Sequence, residues 1–328
     1  AMVLDLKKDE GKKVLYDLVK YSDVVFDNYR PGVNERLRID YETLKKINPS
    51  IICCSLTGFG STSPYAQRPA YDIVGQAMSG GMSITGDPPP VRAGIPIADL
   101  TGGFFAAFGI LSAVYHLERT GEGQKVETSL LDSQIAYLVY MASDYFVTGE
   151  NPTPIGVGQR SNPLYRPYMA QDKQFILAAV TPRFWPNLCR AIDRTDLETD
   201  PRFDSPLKRR EEGKDELTVV FEEIFSKGKA DDWLNKLVEA GVPCAPISTI
   251  GEAVESPHVK SRNMIVTTTY KGEQVKIVGN PVKMSAHDDK DYRPSPPEEG
   301  EHTDEVLTEI LEYSPEYIEK LKKEYIVV

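Results

Sequence analysis

Residues 96–133, PIADLTGGFFAAFGILSAVYHLERTGEGQKVETSLLDS, constrain this chain more than any other stretch. One carboxylate, Asp99, stands among apolar residues just ahead of a small-residue run from Gly102 to Leu117. That run reads as a helix apolar almost all round, and such a helix is expected to be buried. It reads as too short, and too rich in Gly and Ala, for a membrane span. Gly102, Gly103 and Gly109 leave room for another backbone to come close. The TGEGQ segment at 120–124 ends the helix, and KVETSLL resumes as a strand or a second apolar segment.

Two roles are open to Asp99. Either Asp99 or Thr101 can cap the helix and satisfy its orphan N–H groups. Caps far outnumber nucleophiles, so local sequence alone favours that plain role. Yet an ionised carboxylate at the positive end of a helix is also a poised nucleophile, provided an electrophile reaches it.

With 328 residues the chain has room for one large and one small domain. A net charge of −11 argues against a general nucleic-acid surface but leaves room for a local basic pocket. No secretory signal or transmembrane run is read, so the expected compartment is the cytoplasm, with no membrane partner. Cys53, Cys54, Cys189 and Cys244 lack metal-site spacing and are expected as free thiols, the adjacent pair in an apolar run. The histidines at 116, 258, 287 and 302 form no ligand pattern, so no metal is expected.

Taken in order, VLDLK at 3–7 reads as a short strand and 9–21 as an amphipathic helix. Short apolar strands follow at 22–26 and 50–56, with a helix at 41–47 between them. Such alternation predicts an α/β fold with a parallel sheet. Ligands of open α/β sheets bind beyond the carboxyl ends of the strands. The loops at 28–32 and 57–72 would lie there. Asn28, Tyr29, Arg30, Arg36 and Arg38 are candidates to position an anionic or nucleotide ligand, arginine because its fork donates two hydrogen bonds. The plain alternative is a solvated loop. Residues 148–163 read as a linker or a mobile loop, with Gly156, Gly158 and Gln159 as a lid over an active site. Beyond it come a strand at 173–180, helices at 182–193, 212–225 and 231–240, and a strand-like return at 241–247. A hairpin is expected at 263–278 around Lys271-Gly272, with helices at 305–311 and 315–325.

Eight segments then converge: DNYRPG (27–32), LTGFG (56–60), RPAYD (68–72), MSITG (82–86), PIADLTGG (96–103), TGEGQ (120–124), SLLDS (129–133) and EAGVPCAP (239–246). In this order, along nearly the whole chain, they resemble the class III CoA-transferases, the family of formyl-CoA transferase and L-carnitine CoA-transferase. The resemblance implies a Rossmann-like large domain with a parallel sheet (1–150 and 260–328), a smaller α+β domain (154–256) and an interlocked homodimer. It implies that Asp99 is the nucleophile, attacking an acyl-CoA thioester to give an aspartyl anhydride and then an enzyme-CoA thioester. CoA is then a substrate, and no metal or redox cofactor is needed. By position, Leu4, Lys7, Asn28, Tyr29 and Arg36 match CoA contacts. Tyr71 and Asp72, in the RPAYD segment, match the aromatic and acidic pair near the acyl groups, and Arg68 of the same segment is a further candidate to bind substrate or CoA.

Two departures stand out. Members of the family begin with about seventy further residues, including part of the CoA site and the first strand of the large domain. A fragment, a split subunit or an unusual member is therefore expected, and a non-catalytic CoA-binding partner subunit stays among the readings. Related acyl-CoA racemases place a histidine where this chain has Tyr71. Racemisation needs an acid–base pair across the α-carbon, so this position favours transfer over racemase or epimerase chemistry.

Overall fold

The computed structural model describes residues 1–86, 89–154, 162–286 and 295–328. The chain divides into two compact units, residues 1–154 with 296–328, and residues 155–295.

The first unit is α/β. Three parallel strands, β1 (Val24–Asp27), β2 (Ile52–Thr57) and β3 (Lys125–Ser129), lie in the order β1-β2-β3. Phe26 pairs with Cys54 and Cys54 with Val126. The central strand is an apolar run because both its faces are covered: the neighbours Cys53 and Cys54, which point to opposite faces, are both buried. Helices α1 (Asp9–Val19), α2 (Val33–Leu37), α3 (Tyr41–Leu44), α4 (Asp72–Met78), α5 (Ile97–Thr120), α6 (Leu130–Tyr137) and α7 (Tyr140–Thr148) belong to this unit, as do the C-terminal helices at Thr303–Glu305 and Pro315–Lys323. The VLDLK segment forms no strand. Leu4 makes a single bridge to Val327, and Asp5 N–H donates to the Ile326 carbonyl at 2.9 Å. Leu4 packs instead on a small core built from Val14, Leu307, Ile318 and Leu321.

Helix α5 departs from expectation in three ways. It starts at Ile97 and runs for 24 residues, long and apolar enough to cross a bilayer by length and composition. It is not buried all round: Phe104, Phe108, Leu111 and Tyr115 are exposed, while Thr101, Gly102, Ala106 and Ala113 are buried. Side chains, not a backbone, use the room at its inward glycines, Val126 at Gly109 and Leu56 with Leu130 at Gly102. A Cβ on Gly102 would come within 2.9 Å of Leu56 Cδ1 and 3.2 Å of Leu130 Cδ2. Absence of that atom lets α5 lie close against the end of β2. Leu56, Ala98 and Leu130 then form the small core beneath the first turn of α5.

In the second unit, β4 (Tyr165–Met169), β5 (Gln174–Ala178) and β6 (Cys244–Pro246) form an antiparallel sheet. Its core joins Tyr168, Phe175 and Leu177 to Leu188, Phe221, Phe225 and Leu237 of the flanking helices. The hairpin β7 (Ile265–Tyr270) and β8 (Glu273–Val278) also falls in this unit, so residues 260–295 group with it and not with the large domain. Lys271 and Gly272 both have positive φ, 50° and 83°. That is the turn whose twist matches a tight hairpin.

Candidate active site

A cleft of about 400 Å³ opens beyond the carboxyl ends of β1 and β2. Asn28, Tyr29, Arg30, Arg68, Tyr71 and Asp99 all reach it. The sheet explains the convergence. β1 ends at Asp27 and β2 at Thr57, so both following loops start at the same edge, and α5 brings its first turn to them.

The loops are tied down locally. Asn28 Nδ2 donates to the Leu56 carbonyl, fastening the turn after β1 to the end of β2. Asp27 accepts from Tyr29 N–H at 3.0 Å, Asn34 Nδ2 at 2.8 Å and Ser55 Oγ at 2.7 Å. In the second loop a Cβ on Gly58 would lie 2.5 Å from the Ala70 Cβ, so the two ends of this loop touch. The Arg68 guanidinium lies over the Tyr65 ring at 4.8 Å and the Phe59 ring at 5.7 Å.

The cap of α5 falls to neither Asp99 nor Thr101. The N-cap is Pro96, which has no side-chain bond to offer. Asp72, 26 residues earlier, accepts the Ala98 N–H at 2.8 Å on Oδ1, and Gln76 Nε2 donates to its Oδ2 at 2.6 Å. Thr101 Oγ1 donates back to the Ala98 carbonyl at 3.2 Å and accepts from Gln134 Nε2 at 3.1 Å. Asp99 itself is exposed in the first turn, and among the described residues its carboxylate makes no hydrogen bond or ion pair. Partial desolvation by the cleft walls, and then the negative charge of Asp72, hold its carboxyl above the usual aspartate value. A raised value means a more basic, more nucleophilic carboxylate once ionised.

The two thiols of β2 are poor alternative nucleophiles. Burial pushes the Cys54 thiol up to about 11 and that of Cys53 to about 12, which keeps both protonated. Among the described residues no group of three His, Cys, Asp or Glu side chains is placed to hold a metal ion.

Several expected site residues lie elsewhere. Leu4 belongs to the terminal core. Lys7 is exposed, its N–H bonded to Asp5 Oδ1 at 3.0 Å. Arg36 is exposed in the last turn of α2 and does not line the cleft. Gly156, Gly158 and Gln159 lie outside the described residues. Two residues that the motifs underplayed are Gln76 and Gln134. The first is one helical turn beyond Asp72, a spacing that foretells a side-chain pair. The second is tied to α5 only through the fold. A smaller cleft of about 220 Å³ continues past Tyr29 and Arg30, walled by Asp27, Ser55, Lys125 and Glu127.

The family model described as CoA-transferase family III matches residues 1–303. The acetyl-CoA:oxalate CoA-transferase of Acetobacter aceti is 39% identical over 300 residues, covering 90% of this chain and 76% of that protein. The succinyl-CoA:mesaconate CoA-transferase of Haloarcula hispanica is 35% identical over 324 residues, covering 95% and 78%. The crystal structure of a CAIB/BAIF family protein from Brucella suis superposes with a TM-score of 0.80 at 33% identity, covering 94% of this chain and 80% of that one. The chain therefore belongs to the class III CoA-transferases.

Proposed function

We propose that this protein transfers CoA between an acyl-CoA and a dicarboxylic acid, with Asp99 as the covalent nucleophile. The observation that carries the reading is the division of labour at the start of α5: Asp72 caps the helix, and Asp99 is left unpartnered at the cleft. The dicarboxylate class rests on the relatives, whose names give oxalate and mesaconate as substrates.

The cycle needs only this carboxylate and the two substrates. Asp99 Oδ attacks the thioester carbonyl, the C–S bond breaks, and CoA leaves as the thiolate. The thiolate then attacks the Asp99 carbonyl of the anhydride, expelling the first acid and leaving an enzyme-CoA thioester. A carboxylate oxygen of the incoming acid attacks that thioester and forms a second anhydride. The returning thiolate attacks the acid's own carbonyl carbon and frees Asp99. Each step exchanges one acyl bond for another, so no oxidant, reductant or water is consumed. The positive end of α5 favours the negative charge that develops at each addition. Tyr29 and Arg30 line both the cleft and its smaller neighbour, and Asn28 lines the cleft, so these residues are the candidates to hold the nucleotide end of the thioester.

The working unit in this reading is a homodimer. Phe104, Phe108, Leu111 and Tyr115 on α5 and Phe146 and Val147 on α7 expose apolar surface that a soluble monomer rarely shows. A second copy is the proposed cover. The reading is tested by assaying acetyl-CoA with a panel of carboxylic acids. Formation of the new acyl-CoA, lost on Asp99→Asn, supports it, and turnover retained by the variant contradicts it.

A further inference from the structure

We infer that Arg68 reads the second carboxylate of a dicarboxylic substrate, with its guanidinium held ready by Tyr65 and Phe59. The inference rests on the transferase reading of the Asp99 cleft and adds the residue that selects among acids.

Four observations lead to it. Arg68 and Asp99 line the same cleft, with Arg30 the other arginine there. Among the described residues the Arg68 guanidinium makes no hydrogen bond or ion pair, although the chain carries 49 acidic against 38 basic side chains. Its rings are built in: Phe59 is buried and meets Tyr65 edge to face, centroids 5.8 Å apart. The loop that carries all three is closed on itself, with Gly58 against Ala70 and Arg68 N–H donating to the Tyr65 carbonyl at 2.8 Å.

The two rings touch each other and stand against one side of the guanidinium, which leaves its N–H fork open to a partner on the other side. That fork matches a carboxylate through two bonds. The cleft needs such a group. An acid whose first carboxylate attacks the Asp99 thioester brings a second carboxylate into a cleft that already feels the charge of Asp72, and a further negative charge there is unfavourable without a cation. The two rings also restrict the arginine before binding, so less conformational freedom is lost when the fork closes. A monocarboxylic acid of equal length gains nothing from it and would leave the cation unpaired.

The test uses the full chain, acetyl-CoA as donor, and succinate or butyrate as acceptor, two four-carbon acids that differ by one carboxylate. The ratio of kcat/KM for succinate over butyrate is measured for the wild type, Arg68→Ala and Arg68→Lys. The ratio is expected to fall about 10- to 150-fold in Arg68→Ala, the span of a hydrogen bond to a charged group, chiefly through KM for succinate, with partial recovery in Arg68→Lys. An unchanged ratio overturns the inference. So does a loss shared equally by both acids together with weaker calorimetric binding of CoA, which would assign Arg68 to CoA. If the wild type transfers CoA to neither acid, the transferase reading fails separately. Calorimetric titration with succinate then still judges the arginine: binding seen in the wild type and lost in Arg68→Ala sustains it, and no binding in the wild type overturns it.

Discussion

Asp72 Oδ1 accepts the backbone N–H of Ala98 at 2.8 Å, so a residue on α4 caps the helix whose first turn carries Asp99. The same carboxylate that fixes the position of Asp99 also raises its proton affinity through charge. Placement and tuning of the candidate nucleophile therefore share one neighbour.

That coupling has a sign. Transfer needs Asp99 ionised, so the acid limb of the kcat/KM profile reports its protonation. Asp72→Asn keeps an acceptor for the Ala98 N–H but removes the charge. The Asp99 pKa then falls, and the acid limb moves to lower pH. Asp72→Ala removes the cap as well and is expected to lower stability by about 0.5–2 kcal/mol in denaturant unfolding. An acid limb unmoved in Asp72→Asn would show that the two carboxylates do not interact during turnover.

Arg30 lines both the Asp99 cleft and its smaller continuation. Arg30→Ala is expected to weaken CoA binding by about 1.5–3 kcal/mol, the usual worth of a hydrogen bond to a charged group. Calorimetry with CoA alone checks this. An unchanged dissociation constant would place the phosphates elsewhere.

The exposed apolar face of α5 predicts assembly. Light scattering coupled to size exclusion should give about twice the 36.6 kDa chain mass. Phe108→Asp, at a residue 70% exposed in the single chain, should lower that mass or cause aggregation. A wild type that runs as a monodisperse 36.6 kDa species contradicts the homodimer.

What could be read in advance depended on range. β1 and β2 are short apolar runs flanked by turn residues, and the structure places them within two residues of expectation. The cap of α5 was not legible, because its two partners lie 26 residues apart and only the fold brings them together. Local sequence alone favours a cap at Asp99 or Thr101, because a polar residue near a helix start usually serves there, while the motif resemblance makes Asp99 the nucleophile. With Pro96 as N-cap the helix begins earlier and carries Asp99 inside its first turn. The VLDLK segment has the alternation of a strand, but its neighbour is the single residue Val327, too little for a ladder. The periodicity of α5 signals burial on every side. The chain itself covers one side, and the periodicity cannot say what covers the other.

The central claim is that Asp99 becomes acylated during turnover. Because Asp99 caps nothing, Asp99→Asn should unfold within about 0.5 kcal/mol of the wild type and lose transfer by at least about 10³-fold. The direct measurement is chemical trapping: hydroxylamine is added to the wild-type protein turning over acetyl-CoA and a dicarboxylic acid, and the peptides are mapped by mass spectrometry. The account predicts a hydroxamate on Asp99 that depends on acyl-CoA. A hydroxamate on another carboxylate, or none under conditions of active transfer, would contradict it.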